Sequence, residues 1–207
     1  MSTLSGLSST IGKQVRRIAC WRDESTMNPF EKIAKRHQAL PKIDLAQGRS
    51  IASSRSTSRR LMELIDANAH GNVHGGVIMR MVDEAASIVA FKHSQNPDVV
   101  TARVETFNFL APAYIRDVVT IHCEMRYVGR TSMEVGVEVM AEDVITGEVR
   151  QIASSYVVYV ALDENGKPTP VPPLVPADDE EKAIIERARL RRVHRQKADE
   201  ELTRAEE

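Results

Sequence analysis

Apolar residues recur with a helical period over one long stretch of the chain. The period is three or four residues, which predicts an amphipathic helix with one broad buried stripe. The stripe consists of Ile78, Met81, Val82, Ala85, Ala86 and Val89. We expect the helix to end near His93, ahead of Asn96 and Pro97. The segment HGNVHGG (70–76) precedes it, and its three glycines indicate a loop that bends sharply or passes close to another group.

After the helix, the pattern changes to the two-residue period of half-buried strands. Strands are predicted over 99–109, 117–128, 131–142 and 150–162, and a weaker alternation over 60–65 predicts a first strand. In the last of the four, the even positions from Ile152 to Leu162 carry most of the apolar side. In the two before it, the apolar sides consist of Val119, Ile121, Cys123, Met125 and Tyr127, and of Met133, Val135, Val137, Val139 and Ala141. Hairpin turns are expected at Gly129-Arg130 and Thr146-Gly147.

This order predicts an α+β fold in which one long helix packs on an antiparallel sheet. A single helix covers only one face and leaves the sheet edges open, so we expect self-association. Three parts are predicted: an extension or leader (1–55), the folded domain (56–166), and a proline-rich linker with a charged C-terminal helix (167–207). That helix is either solvated or docked on a neighbouring subunit.

The N-terminal part has little patterning of its own. Residues 1–22 contain no Asp or Glu, which fits either a disordered leader or a weak organelle-targeting presequence. A cytoplasmic location is expected, with a mitochondrial one left open. Residues 28–40 are predicted to form a short helix, and the Ser- and Arg-rich residues 47–60 are interpreted as a linker.

Composition narrows the function classes. The 28 basic and 29 acidic residues give a net charge of −1, which argues against a globally basic nucleic-acid binder. No apolar stretch approaches the roughly 20 residues of a membrane span. The two cysteines, Cys20 and Cys123, lack CxxC spacing, so neither a disulfide framework nor a zinc site is supported, and no metal is expected.

Asp83 is the ionisable residue of greatest chemical interest. It lies off the apolar stripe, two helical turns after Gly76. The unpaired N–H groups of Gly75 and Gly76 at the helix start suit a developing oxyanion, and a nearby carboxylate can activate water. The alternatives are an ordinary exposed helix residue for Asp83 and close helix–sheet packing for the glycine pair.

Two further segments carry polar groups suited to a ligand. Asn72 either supports the loop backbone or binds water or a substrate carbonyl, and His70 and His74 are interpreted as loop or packing residues. The turn Gly129, Arg130, Thr131 and Ser132 combines a guanidinium with two hydroxyls, a set that can hold a phosphate but also occurs in plain hairpins. The motifs GxSxG, GxGxxG and GxxxxGK[ST] are absent.

Three blocks in this order resemble the hotdog-fold acyl-CoA thioesterases: HGNVHGGVIMRMVDEAA (70–86), TARVETFNFLAPAYIRDVV (101–119) and YVGRTSMEVGVEV (127–139). The resemblance covers roughly residues 58–165 and is nearest to the bacterial short- and medium-chain and brain-type acyl-CoA hydrolases. It implies a central helix wrapped by the sheet, dimers that share their active sites, and commonly three dimers in a hexamer.

The resemblance also implies residue roles. Asp83 matches the carboxylate that activates or positions water. Asn72 matches the loop asparagine that reaches the site from the partner subunit, and Gly76 matches the helix-start glycine whose N–H binds the thioester oxygen. Gly75 is assigned to substrate binding beside it, and the turn 129–132 matches a segment that contacts coenzyme A. Since this chain carries both the asparagine and the carboxylate, a homodimer is expected to hold two sites.

The expected reaction is hydrolysis of a fatty acyl-CoA to free acid and coenzyme A, without a cofactor. A hotdog dehydratase or hydratase and a non-catalytic acyl-CoA-binding module remain the alternatives. The acyl-chain preference is not readable, and Phe107, Phe109, Met79 and Met81 are candidates either for an acyl tunnel or for the core.

Overall fold

The computed structural model describes residues 44–206 of the chain, so the predicted leader and the helix over 28–40 lie outside it. Within these described residues, three helices and six strands follow one another, with a 3₁₀ turn at Leu64–Asp66. In chain order they are α1 (Ile51–Ser54), β1 (Ser56–Leu61), α2 (Gly75–Ser94), β2 (Val99–Val104), β3 (Asn108–Phe109), β4 (Asp117–Val128), β5 (Ser132–Asp143), β6 (Val149–Ala161) and α3 (Asp179–Glu206). The six strands form one antiparallel sheet in the order β1-β4-β5-β6-β2, and β3 also pairs with β6. The predicted α+β architecture is confirmed.

Helix α2 is the central element, and it buries the stripe that its sequence predicts. All six stripe residues belong to the core, together with Ala90 and His93. His74 caps the start of the helix, and Gln95 ends it in the left-handed conformation, with φ of 52°. The opposing core surface comes from the inward side chains of β4 and β5, including Ile121, Met125 and Val135.

Two pairing irregularities change which face the strand residues occupy. The β4–β5 register skips Arg126, and beyond it Tyr127 contacts α3 while Val128 packs on the core. The β5–β6 register skips Ile152, and from there the odd positions of β6, such as Val157 and Tyr159, are buried against α2. The prediction of the core side was therefore right for Ile152 but wrong for Tyr127 and for Tyr156, Val158 and Val160 of β6, because one extra residue inverts the alternation of a strand.

The residues before α2 also differ from the prediction. The first strand is Ser56–Leu61 rather than 60–65, and the interpretation of 47–60 as a linker was wrong. Ile51 is fully buried in α1, whose N-cap Ser50 accepts from the Ser53 backbone. The predicted strand 99–109 is divided into β2 and the two-residue β3.

Helix α3 lies on the outer face of the chain's own sheet, a position that neither sequence interpretation included. Its Ala188 is fully buried, and Arg191 donates to Glu134 of β5 at 2.7 Å. Arg195 pairs with Glu105, which follows β2, at 2.8 Å. Tyr156, at one of the even positions of β6, lies beneath this helix, with its ring centroid 4.1 Å from Cζ of Arg191.

Candidate active site

The glycine-rich loop forms one wall of a cavity of about 350 Å³. Asn68, Asn72 and Gly75 line the cavity from the loop, and Phe109 lines it from β3. Asn68 holds the loop in shape, because its Oδ1 accepts from the backbone N–H groups of His70 (2.8 Å) and Asn72 (3.2 Å). Its amide nitrogen has no hydrogen-bond partner among the described residues and can donate to a ligand. Asn72 is half-buried and forms an isolated β-bridge with Tyr114.

The helix start presents one occupied and one unpaired amide. The Gly76 N–H donates to Nδ1 of His74 at 2.9 Å, so this amide receives an oxyanion only if the His74 ring turns away. The Gly75 N–H has no hydrogen-bond partner within residues 44–206. A Cβ at Gly75 would lie 3.1 Å from Cζ of Phe109, which shows how closely that ring approaches the amide. The predicted oxyanion role of Gly76 stays a prediction, and Gly75 offers the N–H that is unpaired within the described residues.

Asp83 lies two turns further along α2, where two hydroxyl groups hold one of its carboxylate oxygens. Thr101 of β2 donates to Oδ1 at 2.8 Å. The Tyr159 hydroxyl of β6 shares its proton between the Asp83 backbone carbonyl, at 2.9 Å, and Oδ1, at 3.1 Å. Burial, and then the Asp83 charge, raise the pKa of Tyr159, so its hydroxyl stays protonated and remains a donor. The other oxygen, Oδ2, has no partner in the described part of the chain, and Asp83 is half-buried rather than fully solvated.

Within one chain, Asp83 and the loop cavity are separate. Asp83 does not line the cavity that contains Asn68, Asn72 and Gly75. The structure of a single chain therefore brings the predicted amide groups together but leaves the carboxylate among the strand hydroxyls.

The β4–β5 turn forms a third group of polar residues. Arg130 is exposed, whereas Gly129, Thr131 and Ser132 are half-buried. Arg192 of α3 reaches this turn and donates from Nη1 to Oγ of Ser132 at 3.2 Å. The sequence placed the four turn residues together but contained no signal for the contribution of the C-terminal helix.

The remaining candidates divide between core and surface. Of the four residues considered for an acyl tunnel, Met81 is a core residue, Met79 is exposed, and Phe107 and Phe109 stack with ring centroids 4.7 Å apart. Burial raises the pKa of the Cys123 thiol to about 12, which agrees with its interpretation as a buried apolar residue. Within residues 44–206, no cluster of His, Cys, Asp or Glu could hold a metal ion, and no helix there is long and apolar enough to cross a membrane.

Comparison with known proteins resolves the family. The model of the thioesterase superfamily matches residues 70–148. An acyl-CoA thioester hydrolase of Bacillus subtilis, YkhA, is 42% identical over 117 residues, which cover 56% of this chain and 67% of that protein. The chain belongs to the acyl-CoA thioester hydrolases. The cytosolic acyl coenzyme A thioester hydrolase of the rat is 38% identical over 144 residues, and these cover 69% of this chain but only 38% of the rat protein.

Solved structures of this hydrolase family establish the hotdog fold. A hexameric acyl-CoA thioesterase, determined in its apo form, is 36% identical and superimposes with a TM-score of 0.70 over 74% of this chain and 97% of its own. The acyl-CoA hydrolase of Staphylococcus aureus, solved with butyryl coenzyme A and coenzyme A, is 34% identical. It superimposes with a TM-score of 0.63 over 76% of this chain and 99% of its own. Alanine variants of that S. aureus enzyme at an asparagine, an aspartate and a threonine have also been solved.

Sequence reasoning missed Asn68, Thr101, Tyr159 and Arg192. Thr101 opens the second of the three resemblance blocks, so its position carried a signal that was not used. Asn68 lies two residues before the first block. Tyr159 was assigned to the wrong face of β6, and nothing in the pattern of α3 distinguishes Arg192 from its neighbouring arginines.

Proposed function

We propose that this hydrolase cleaves fatty acyl-CoA to free fatty acid and coenzyme A, with Asp83 as the residue that activates water. The observation that carries the proposal is the Asp83 carboxylate itself. Its Oδ1 is fixed by Thr101 and Tyr159, and its Oδ2 has no partner in the described part of the chain. A carboxylate held in this way has one fixed orientation and one oxygen to offer a water molecule.

The reaction needs only the thioester and water. The water oxygen attacks the thioester carbonyl carbon while Asp83 Oδ2 takes a proton from the water. The carbonyl oxygen becomes an oxyanion, and an N–H at the helix start, from Gly75 or Gly76, stabilises its charge. When the tetrahedral intermediate collapses, the carbon–sulfur bond breaks and the proton passes from Asp83 to the departing coenzyme A sulfur. The scheme includes no resident cofactor.

A loop asparagine assists by donating its amide to the thioester or to the water, and Asn68 is the better candidate on two grounds. The asparagine and aspartate replaced in the S. aureus enzyme are fifteen residues apart. Asn68 precedes Asp83 by the same fifteen residues, whereas Asn72 precedes it by eleven. The threonine replaced there follows its aspartate by seventeen residues, and Thr101 follows Asp83 by eighteen. The fixed Oδ1 of Asn68 also leaves its amide group oriented for donation.

We further propose that the amide-lined cavity of one copy faces the Asp83 of another. The separation of the two within one chain supports this arrangement, as does the edge of β2, which among residues 44–206 pairs with β6 on one side only. The related thioesterases described as hexameric support three such dimers in one assembly. Gly129, Arg130, Thr131 and Ser132 would then contact the coenzyme A moiety. The cytosolic naming of the mammalian relatives supports a cytoplasmic location.

The test is a thiol-release assay across acyl chain lengths with the full-length chain and its Asp83→Asn variant. We expect the variant to retain its fold, since asparagine has nearly the same shape and still accepts from Thr101. Loss of the water-activating group should lower kcat by about 10²- to 10⁴-fold. Melting temperature and oligomer mass serve as controls for folding. Wild-type kcat in a folded Asp83→Asn variant would rule out the proposed mechanism.

A matched pair of variants decides between the asparagines. Asn68→Asp keeps the oxygen that holds the loop but removes the amide donor, and we expect it to lose most of kcat. Asn72→Ala removes a side chain that bonds to nothing within residues 44–206, and we expect a small effect. The opposite result would give Asn72 the role that the family resemblance assigned to it.

A further inference from the structure

Three arginines of α3 face the outer surface of the sheet, and two of them are neutralised there. Arg191 pairs with the almost fully buried Glu134, and Arg195 pairs with Glu105. These two contacts account for the docking of the helix, because the buried carboxylate of Glu134 requires a cationic partner.

Arg192 differs from both neighbours because no carboxylate pairs with it in the described part of the chain. Its guanidinium donates to the Ser132 hydroxyl at 3.2 Å and lies 5.2 Å from the centroid of the Tyr127 ring. The β4–β5 turn therefore carries an uncompensated positive charge that originates from a different element.

The turn is shaped to receive this guanidinium. A Cβ at position 129 would lie 2.7 Å from Nη1 of Arg192, so the absence of a side chain at Gly129 admits the group. Arg130 adds a second, exposed guanidinium, and the half-buried Thr131 adds a hydroxyl. Two guanidiniums and two hydroxyls around one turn are the groups that bind phosphate in proteins.

The β4–β5 turn is connected to Asp83 by neighbouring residue pairs of β5 and β6. Ser132 pairs with Val160, one ladder position from the Met133–Tyr159 pair, and Tyr159 donates to Asp83. Tyr159 points towards α2, whereas Ser132 points towards α3, on the opposite face. A substrate with its reactive carbonyl at one end and its phosphates at the other suits this arrangement.

We propose that Arg192 is a substrate-binding residue that holds a phosphate of coenzyme A against the β4–β5 turn. The C-terminal helix, which lies outside the residues 70–148 matched by the family model, then forms part of the substrate site. The inference rests on the proposed function for the identity of the ligand. It assigns the helix a role in affinity and leaves the chemical step to Asp83.

The experiment compares three thioesters of one acyl chain, the chain that the wild type hydrolyses fastest: acyl-CoA, acyl-3′-dephospho-CoA and acyl-pantetheine. For Arg192→Ala we expect KM for acyl-CoA to rise about 10- to 100-fold, the loss of one charge-assisted contact, with kcat unchanged. For acyl-pantetheine, which has neither the diphosphate nor the 3′-phosphate, the variant should have the same KM as the wild type. The dephospho substrate identifies which phosphate Arg192 binds. An equal KM increase with acyl-CoA and acyl-3′-dephospho-CoA assigns the diphosphate, whereas a KM increase with acyl-CoA alone assigns the 3′-phosphate.

Two further variants serve as a partner test and a control. Gly129→Ala displaces the guanidinium and should reproduce the KM increase. Arg189→Ala removes an exposed charge of the same helix, which among the described residues pairs only with Glu186 at 3.7 Å, and should leave KM unchanged. An equal KM increase in Arg189→Ala, or an equal loss with acyl-pantetheine in Arg192→Ala, would overturn the assignment.

Calorimetry with free coenzyme A separates this inference from the proposed function. If no thioester is hydrolysed but coenzyme A binds about 10-fold more weakly to Arg192→Ala, the proposed reaction fails and the phosphate site stands. If hydrolysis depends on Asp83 but coenzyme A binds Arg192→Ala as tightly as the wild type, the reaction stands and the phosphate site fails.

Discussion

Asp83 is held by two hydroxyl groups that come from different strands. Thr101 is 18 residues away in sequence and Tyr159 is 76 residues away, and both donate to the same carboxylate oxygen. These contacts hold Oδ1 in place, and Oδ2 has no partner in the described part of the chain. The two hydroxyls therefore act as positioning groups that operate through Asp83.

We predict that Tyr159→Phe lowers kcat by about 10-fold, because one hydrogen bond to a charged group is lost and the carboxylate gains rotational freedom. KM for acyl-CoA should stay near the wild-type value, since the hydroxyl contacts Asp83 and not the substrate. Steady-state kinetics checks both quantities. Tyr156→Phe is the control, because Tyr156 lies on the opposite face of β6 beneath Arg191, and its ring is retained. A kcat loss of equal size in both variants would contradict the positioning role.

At the residue scale, the sequence predicts the carboxylate better than its surroundings. Asp83 stands out because it is a charged residue beside a helical stripe that is otherwise well patterned. Its donors come from β2 and β6, and their approach depends on strand register. The register of β6 includes the extra residue Ile152, which reverses the face of Tyr159. Alternation alone does not reveal such a residue, because the parts of the strand before and after it each alternate regularly.

At the scale of elements, α2 and the long strands were predictable, whereas the outer layer was not. Local periodicity predicted α2 and the core faces of β4 and β5, since each pattern depends on one buried surface. The position of α3 depends on buried ion pairs such as Arg191 with Glu134, between residues 57 apart. Charged residues of a helix usually face solvent, so the sequence favoured a solvated helix or one docked on another subunit.

The proline-rich segment before α3 is attached to the end of α2 through His93. The ring is fully buried, and its Nε2 bonds the Pro172 carbonyl oxygen at 2.9 Å. Burial lowers the pKa of His93, with nearby Arg49 adding to the effect. The folded state therefore binds this proton less readily than the unfolded state does.

We predict that His93 makes the protein less stable as pH falls below about 6.5, the usual pKa of histidine in an unfolded chain. In that range the unfolded state takes up a proton that the folded state does not, so the free energy of unfolding decreases. His93→Gln can still donate to Pro172 but does not titrate, and its stability should decline less steeply. Denaturant unfolding at fixed protein concentration, from pH 7.5 to 5, measures both slopes. Parallel slopes in the two proteins would show that His93 is not the group responsible.

At the scale of the whole molecule, the proposed active site requires more than one chain. In this proposal, one copy supplies the loop cavity with Asn68 and the helix-start amides, and another supplies Asp83 with its two hydroxyls. The edge of β2 next to Asp83, which has no partner strand in the described part of the chain, offers a place for the second copy. Amphipathic patterning indicated that the sheet needs a partner, but the pairing of cavity and carboxylate depends on a quaternary arrangement that one chain does not contain.

Mixed oligomers test this shared site most directly. Asp83→Asn and Asn68→Asp chains, each close to inactive alone, are co-expressed in equal amounts, and mixed oligomers are verified by native mass spectrometry. If each site takes its carboxylate from one copy and its amide from the other, random pairing leaves about a quarter of the sites intact and restores about a quarter of wild-type thiol release. Thiol release that stays at the level of the separate variants, despite verified mixing, would contradict the shared site.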